Sequence, residues 1–157
     1  VDYIHGGGTV GVLVVFDTDD ATAAKDAFKV MGKDVAMQVA AMNPSYLDEA
    51  SVPADVIEHE KGIMKAQLAE DPKMANKPEQ VLAKIVDGKI GKFYKENCLL
   101  DQAFVKDGDM SVAKYVASVA EDLGADIKVT RFIRYAKGEG LEKREDNFAE
   151  EVAGMMK

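Results

Sequence analysis

The stretch that decides the fold is YIHGGGTVGVLVVFD, residues 3–17, because its glycines carry two different motifs. Gly6, Gly8 and Gly11 spell GxGxxG, the pattern of dinucleotide-binding loops. Such a loop must open a helix, whose N-terminal amides hold the pyrophosphate. Here the last glycine opens VLVVF, a run of β-branched and large apolar residues that is typical of a strand. Strand, glycines and strand together predict a β-hairpin with the glycines in its turn.

The HGGG string at residues 5–8 is also the oxyanion-hole motif of many esterases. That chemistry requires a nucleophilic serine in a G-x-S-x-G elbow and a histidine partner. None of the serines lies in such an elbow, and His59 is the only histidine besides His5. Esterase chemistry is therefore excluded, and the sequence predicts neither catalytic residues nor a cofactor.

The composition indicates one domain with excess negative charge. The 157 residues include 28 acidic and 20 basic side chains, for a formal net charge of −8. Because nucleic-acid binding relies on Lys and Arg at the phosphates, this charge argues against direct contact with nucleic acid. No apolar run approaches the roughly 20 residues that span a bilayer, so no membrane contact is expected. Cys98 is the only cysteine, which excludes an internal disulfide and predicts a cytoplasmic location.

Residues 18–42 carry one helical stripe. Its apolar residues recur at steps of three and four: Phe28, Met31, Val35, Val39 and Met42. Thr18 and Asp19 offer capping oxygens at its start, and Asn43 followed by proline predicts its end. Packing in the core explains such a stripe.

Residues 53–96 predict two helices joined by a short polar connection. Pro53 and Pro78 suit first helical positions, and each helix has a narrow apolar seam among many charges. The seam residues are Val56, Ile57, Ile63, Met64 and Leu68 in the first helix, then Val81, Leu82, Ile85, Ile90 and Phe93 in the second. We expect a protruding antiparallel coiled-coil hairpin, an appendage of the single domain. Glu58 and His59 are interpreted as part of its solvated face, since their spacing offers no third metal ligand.

The last third of the chain predicts a helix, then a strand. Asp109 is the expected N-cap of the helix, and Gly124 its end. In the strand, apolar and polar residues alternate, with Ile127, Val129 and Ile133 on one side and Lys128, Thr130 and Arg134 on the other. Paired with the opening hairpin, this strand predicts an α+β fold, a three-stranded antiparallel sheet with helices on one face.

Residues 141–157 predict a C-terminal module that contains one more helix. Its apolar side chains share a face at helical spacing: Phe148, Val152 and Met155. A protruding hairpin and a detached amphipathic helix are features of interaction proteins, so the pattern favours a binding module over an enzyme. The same face could equally pack into the core of this domain.

Four segments resemble, in the same order, the C-terminal part of bacterial elongation factor Ts. They are YIHGGGTVGVLVVF, AMQVAAMNPSYL, GKIGKFYKENCLLDQAFVKD and FIRYAKGEGLEKREDNFAEEVAGM, and the resemblance runs from about Asp2 to Met155. The IRY-x-x-GEG-x-EK run, followed by an acidic FA-x-EV helix, is the most specific part. The resemblance implies a small antiparallel sheet with packed helices, a coiled-coil hairpin and a C-terminal helical module.

The resemblance also implies a function, guanine-nucleotide exchange on the GTPase elongation factor Tu during translation. It places the turn at His5, Gly6 and Gly7 against the third domain of that partner, and the last helix against its nucleotide domain. The family's N-terminal domain and its TDFV exchange motif have no counterpart in this sequence. We therefore expect a fragment for dimerisation and partner docking, with a homodimer as one assembly. A structural oligomerisation module and a nucleotide-binding enzyme are the alternatives.

Overall fold

A computed structural model describes residues 1–74 and 76–141 of the chain. Its main sheet has three antiparallel strands, β1 (Asp2–His5), β2 (Val10–Asp17) and β5 (Lys128–Ala136), in the order β1-β2-β5. A second, two-stranded ribbon joins β3 (Ala103–Phe104) to β4 (Asp107–Ser111). The predicted α+β fold and the opening β-hairpin are confirmed, with β1 and β2 paired from Asp2 opposite Leu13 to His5 opposite Val10.

Five α-helices accompany the sheets in the described part of the chain. They are α1 (Asp20–Ala23), α2 (Asp26–Met42), α3 (Ala54–Glu70), α4 (Glu79–Asn97) and α5 (Val112–Leu123), and a short 3-10 helix covers Glu49–Ser51. The core lies between one face of the main sheet and the helices α2 and α5. Its buried residues include Val12 and Val14 of β2, Met31, Val35 and Val39 of α2, Val112 and Val116 of α5, and Leu99.

The helical segment after β2 is divided in two. The carboxylate of Asp19 accepts hydrogen bonds from the backbone N–H of Thr22 at 2.9 Å and from its hydroxyl at 2.7 Å, and so caps α1. A break at Lys25 then separates α1 from α2, which ends at Met42 and is followed by Asn43 with a φ of 47°. The stripe of α2 is buried as predicted, except at its end, where Met42 is exposed. The single helix expected over residues 18–42 was wrong at this break.

The strand β5 contains a bulge that changes which residues face the core. Its pairing with β2 shifts between Val15 and Phe16, so that Phe16 pairs with Val129 but Val14 pairs with Phe132. Beyond the bulge, Phe132 packs on the core, and Arg134 lies opposite the buried Val12. The predicted alternation therefore holds at Val129, which faces the core. It is reversed beyond the bulge, where Ile133 lies opposite the exposed Leu13 and Arg134 lies on the core side.

Helices α3 and α4 pack against each other as an antiparallel hairpin. Leu68, Val86 and Ile90 are buried, whereas Ile63 and Val81 are exposed, contrary to their assignment to the seam. None of the core-cluster residues in the described part of the chain comes from either helix. That residues 53–96 form a separable coiled-coil appendage stays a prediction.

The cap of α5 also differs from the expected one. Asp109 lies within β4, and the hydroxyl of Ser111 accepts the hydrogen bond from the backbone N–H of Lys114 at 3.3 Å. Gly124 ends the helix in the left-handed conformation, with a φ of 61°, as predicted.

Candidate partner-binding site

The turn between β1 and β2 is held by the backbone carbonyl of His5. This oxygen accepts hydrogen bonds from the N–H of Gly8 at 3.2 Å and of Thr9 at 3.1 Å, and from the Thr9 hydroxyl at 3.3 Å. Gly6, Gly7 and Gly8 follow it with φ values of 57°, 65° and 96°. Three successive residues in the left-handed region require glycine, because side chains with a Cβ are strained there. The glycines therefore build the turn, and the third motif glycine, Gly11, lies within β2.

The side chain of His5 is exposed, but its orientation is set by a residue of the core. Tyr3 and His5 lie on the same face of β1, and the Tyr3 hydroxyl is 3.0 Å from Nδ1 of His5. Their ring centroids are 5.8 Å apart. Tyr3 itself packs against the core cluster. When Nδ1 accepts the proton of Tyr3, Nε2 carries the imidazole proton and is available as a donor.

The exit of β5 lies beside this turn. The backbone N–H of Lys137 donates to the carbonyl of Thr9 at 2.8 Å, and a carboxylate oxygen of Glu139 accepts from the N–H of Ala136 at 2.9 Å. Residues 136–139 therefore lie beside the turn between β1 and β2. Phe148, Val152 and Met155 lie outside the described residues, and their partner contacts stay a prediction.

A second surface, one face of the main sheet, is largely apolar and is exposed in the described part of the chain. The outward-facing residues of the main sheet include Ile4 (65% exposed), Leu13 (49%), Val15 (48%) and Tyr135 (70%). Ile4 and Tyr135 flank Gly11 on neighbouring strands, and Leu13 lies between Asp2 and Ile133. We call these residues the outer face of the sheet. A solvated sheet face is normally polar, so this face departs from the usual pattern.

The outer face could have been found in the sequence. The run VGVLVVF has apolar side chains at both the inward and the outward positions of β2. Such a strand is typical of a sheet covered on both faces, whereas a half-exposed strand alternates. The run therefore indicates an apolar second face in addition to a strand.

The described residues offer little support for the other chemistries. Among residues 1–74 and 76–141, no three His, Cys, Asp or Glu side chains lie close enough to hold a metal ion. Within the same ranges, no helix is long and apolar enough to cross a membrane. The GxGxxG glycines are followed by the strand β2 and not by a helix, so the pyrophosphate site of that motif is not built.

The single thiol is poorly suited to nucleophilic chemistry. Cys98 is fully buried, and burial raises its pKa to about 11, with a smaller contribution from the nearby carboxylates of Asp101, Glu49 and Asp48. Burial and the charges of Glu49 and Asp48 also raise the pKa of Asp101. A buried thiol with a raised pKa is inert, since the thiolate is the reactive form.

Comparisons with known proteins identify the family of this chain. The family model described as Elongation factor TS matches residues 1–139. Elongation factor Ts of Desulforamulus reducens is 46% identical over 156 residues, which cover 99% of this chain and 70% of that protein. Elongation factor Ts of Clostridium botulinum is 49% identical over 156 residues, 98% of this chain and 48% of that protein. The chain thus spans about half the length of several relatives that it matches, and it belongs to the elongation factor Ts family.

Proposed function

We propose that this chain is the partner-docking part of a guanine-nucleotide exchange factor that acts on elongation factor Tu in the cytoplasm. Family membership supports the choice of partner. The observation that carries the proposal is the turn at His5, where Gly6 and Gly7 expose the backbone and Tyr3 orients the imidazole. A turn whose backbone is already held by hydrogen bonds loses less conformational entropy when it binds a partner. In this role the chain uses no cofactor and catalyses no covalent step.

Binding alone does not produce exchange. A factor releases GDP only when it binds the nucleotide-free GTPase more tightly than the GDP-bound form, and contacts common to both forms shift nothing. In the family, the TDFV motif intrudes near the magnesium site, and this sequence contains no Thr-Asp-Phe-Val run. The 157 residues therefore dock on the GTPase weakly and leave its nucleotide in place.

Calorimetric titration of elongation factor Tu with the chain and its His5→Ala variant tests the docking surface. We expect His5→Ala to weaken binding by about 1–2 kcal/mol, as for a central interface residue. The matched control is His59→Ala, because His59 is the other histidine and lies exposed on α3. Equal affinities of the parent and the His5→Ala variant would contradict the assignment of this turn to the partner.

A second candidate function, self-association, is favoured by the outer face of the sheet. Ile4, Leu13, Val15 and Tyr135 form a contiguous apolar patch on three strands. Two twisted sheets pack face to face at about 10 Å when both inner faces are apolar. We propose a second copy of this chain as the occupant, because its identical patch supplies the second apolar sheet.

Sedimentation of three chains distinguishes the sheet from the hairpin as the site of association. Leu13→Asp places a carboxylate on the outer face, and Ile63→Asp places one at an exposed apolar position of α3. We expect the parent and Ile63→Asp to sediment as dimers and Leu13→Asp as a monomer. A monomeric Ile63→Asp variant with a dimeric Leu13→Asp variant would assign the association to the hairpin. A monomeric parent chain would contradict self-association.

A further inference from the structure

Three glycines lie in the interiors of the two helices of the hairpin. Gly62 lies inside α3, and Gly88 and Gly91 lie inside α4. A Cβ built on any of them meets none of the described atoms within 4 Å, so close packing does not require glycine there. An interior glycine destabilises a helix by about 1 kcal/mol relative to alanine. These glycines weaken both helices without a compensating contact.

Gly62 and Gly88 lie near the same level of the hairpin. Nζ of Lys61 is 3.7 Å from Oδ1 of Asp87 across the two helices. Gly62 follows Lys61 and Gly88 follows Asp87, and each step along a helix is only about 1.5 Å. Gly91 lies about one turn nearer the base of the hairpin. We call residues 60–62 and 87–91 the glycine band.

The α3 side of the glycine band contributes charged rather than apolar side chains. Between Ile57 and Met64, the half-buried positions of α3 are Glu60 and Lys61, both charged. The Lys61–Asp87 ion pair is largely exposed, and such pairs contribute about 0–1 kcal/mol. The buried apolar side chains at this level, Val86 and Ile90, both come from α4.

We propose that the glycine band is a hinge, at which the distal part of the hairpin, residues 63–86, changes its angle to the sheet. Glycine has no Cβ to restrict its backbone, so an interior glycine makes a helix easier to bend than alanine does. The motion leaves the core intact, because no core-cluster residue in the described part of the chain belongs to α3 or α4. The hinge lets the tip of the hairpin reach different positions while the sheet stays docked.

Distances between two spin labels on the full chain test the hinge. One label is placed on Lys77→Cys near the tip and one on Lys33→Cys of α2, both at exposed positions. Cys98 is buried and has a pKa of about 11, so it escapes labelling under mild conditions. A second pair, Lys95→Cys with Lys33→Cys, measures the distance from α2 to the part of α4 that lies on the basal side of the glycine band.

We expect a broad distance distribution for the tip pair and a narrow one for the basal pair. In the Gly62→Ala, Gly88→Ala, Gly91→Ala background, the tip distribution should become roughly twofold narrower, because alanine restores helical restraint. These alanines meet open space, so the variant keeps its fold. A tip distribution as narrow as the basal one overturns the proposal, and so does one that stays equally broad with the three alanines.

Discussion

The hydroxyl of Tyr3 lies 3.0 Å from Nδ1 of His5, so a side chain anchored in the core orients the exposed imidazole of the turn. Thr9 and Gly8 fix the backbone of the same histidine through its carbonyl oxygen. Hydrogen bonds therefore hold both the imidazole Nδ1 and the carbonyl oxygen of His5 before a partner binds. Preorganisation of this kind raises affinity by lowering the entropy lost on binding.

Removal of the Tyr3 hydroxyl should weaken docking without unfolding the sheet. Tyr3→Phe keeps the ring in the core but frees the imidazole, and one such hydrogen bond contributes about 0.5–1.5 kcal/mol. We expect a loss of affinity for elongation factor Tu of about 2- to 10-fold by calorimetry. Tyr94→Phe, on α4, is the matched control. If Tyr3→Phe binds as the parent does while His5→Ala binds weakly, Tyr3 does not position the histidine.

The buried glutamine pair should contribute strongly to stability. Nε2 of Gln38 donates to Oε1 of Gln102 at 3.1 Å and to the carbonyl of Ala103 at 3.0 Å, and its Oε1 accepts from the N–H of Val105 at 2.8 Å. Gln38→Leu leaves these groups without partners. At roughly 1–3 kcal/mol for each of the three groups left without a partner, we expect a loss of at least about 3 kcal/mol of unfolding free energy in urea.

The exposed Gln67 of α3 supplies the control for that measurement. Gln67→Leu should change the free energy of unfolding by less than about 0.5 kcal/mol, as is usual for a surface substitution. Similar losses for Gln38→Leu and Gln67→Leu would contradict a structural role for the buried pair.

Alkaline pH should destabilise the fold through two buried groups. Burial raises the pKa of Cys98 to about 11, and burial together with the hydrogen bond to Asp34 raises the pKa of Tyr115 to about 12. The unfolded chain therefore loses these protons before the folded chain does. Stability from both groups is complete below about pH 9 and is lost as the pH rises toward about 12.

Urea unfolding of the parent and of Cys98→Ala between pH 8 and 11 measures how much the thiol contributes to the loss of stability at alkaline pH. Alanine removes the titrating group, so the decline of the free energy of unfolding with pH should be shallower in the variant. Reaction of Cys98 with a thiol reagent at neutral pH should follow global unfolding. Equal slopes for the two chains, or rapid modification of the folded chain, would show that the thiol is not buried in solution.

The helix predicted within residues 141–157 should contact elongation factor Tu and not the core of this domain. Phe148→Ala is expected to weaken binding of elongation factor Tu by roughly 1–3 kcal/mol. Its free energy of unfolding should change by less than about 1 kcal/mol, as for a residue outside the core. Both quantities are measured on one variant, by calorimetry and by urea unfolding. A loss of roughly 3–5 kcal/mol in folding with unchanged affinity would place Phe148 in the core.

Local chemistry was sufficient to predict the turn at Gly6 to Gly8, because consecutive glycines before a β-branched run have few other uses. The stripe of α2 was predictable for a similar reason, since its period repeats over four turns. Arg134 could not be placed, because a bulge depends on how β5 fits β2 and not on its own sequence. Ser111 and not Asp109 caps α5, because pairing with β3 extends β4 through Ser111.

The candidate site was predictable only in part. The resemblance pointed to His5, but Tyr3 lies two residues earlier, and the sequence does not reveal its hydrogen bond. The positions of Ile63 and Val81 show a second limit. Helical spacing alone cannot decide which edge of a narrow seam faces the partner helix, because that depends on how the two helices are rotated.

The release of a fluorescent GDP from elongation factor Tu, followed by stopped flow, tests the central claim most directly. With saturating amounts of this chain, we expect release at nearly the spontaneous rate, since docking contacts common to both states do not favour the nucleotide-free form. Full-length elongation factor Ts of Clostridium botulinum serves as the positive control. Acceleration by this chain equal to that of the full-length factor would contradict the account.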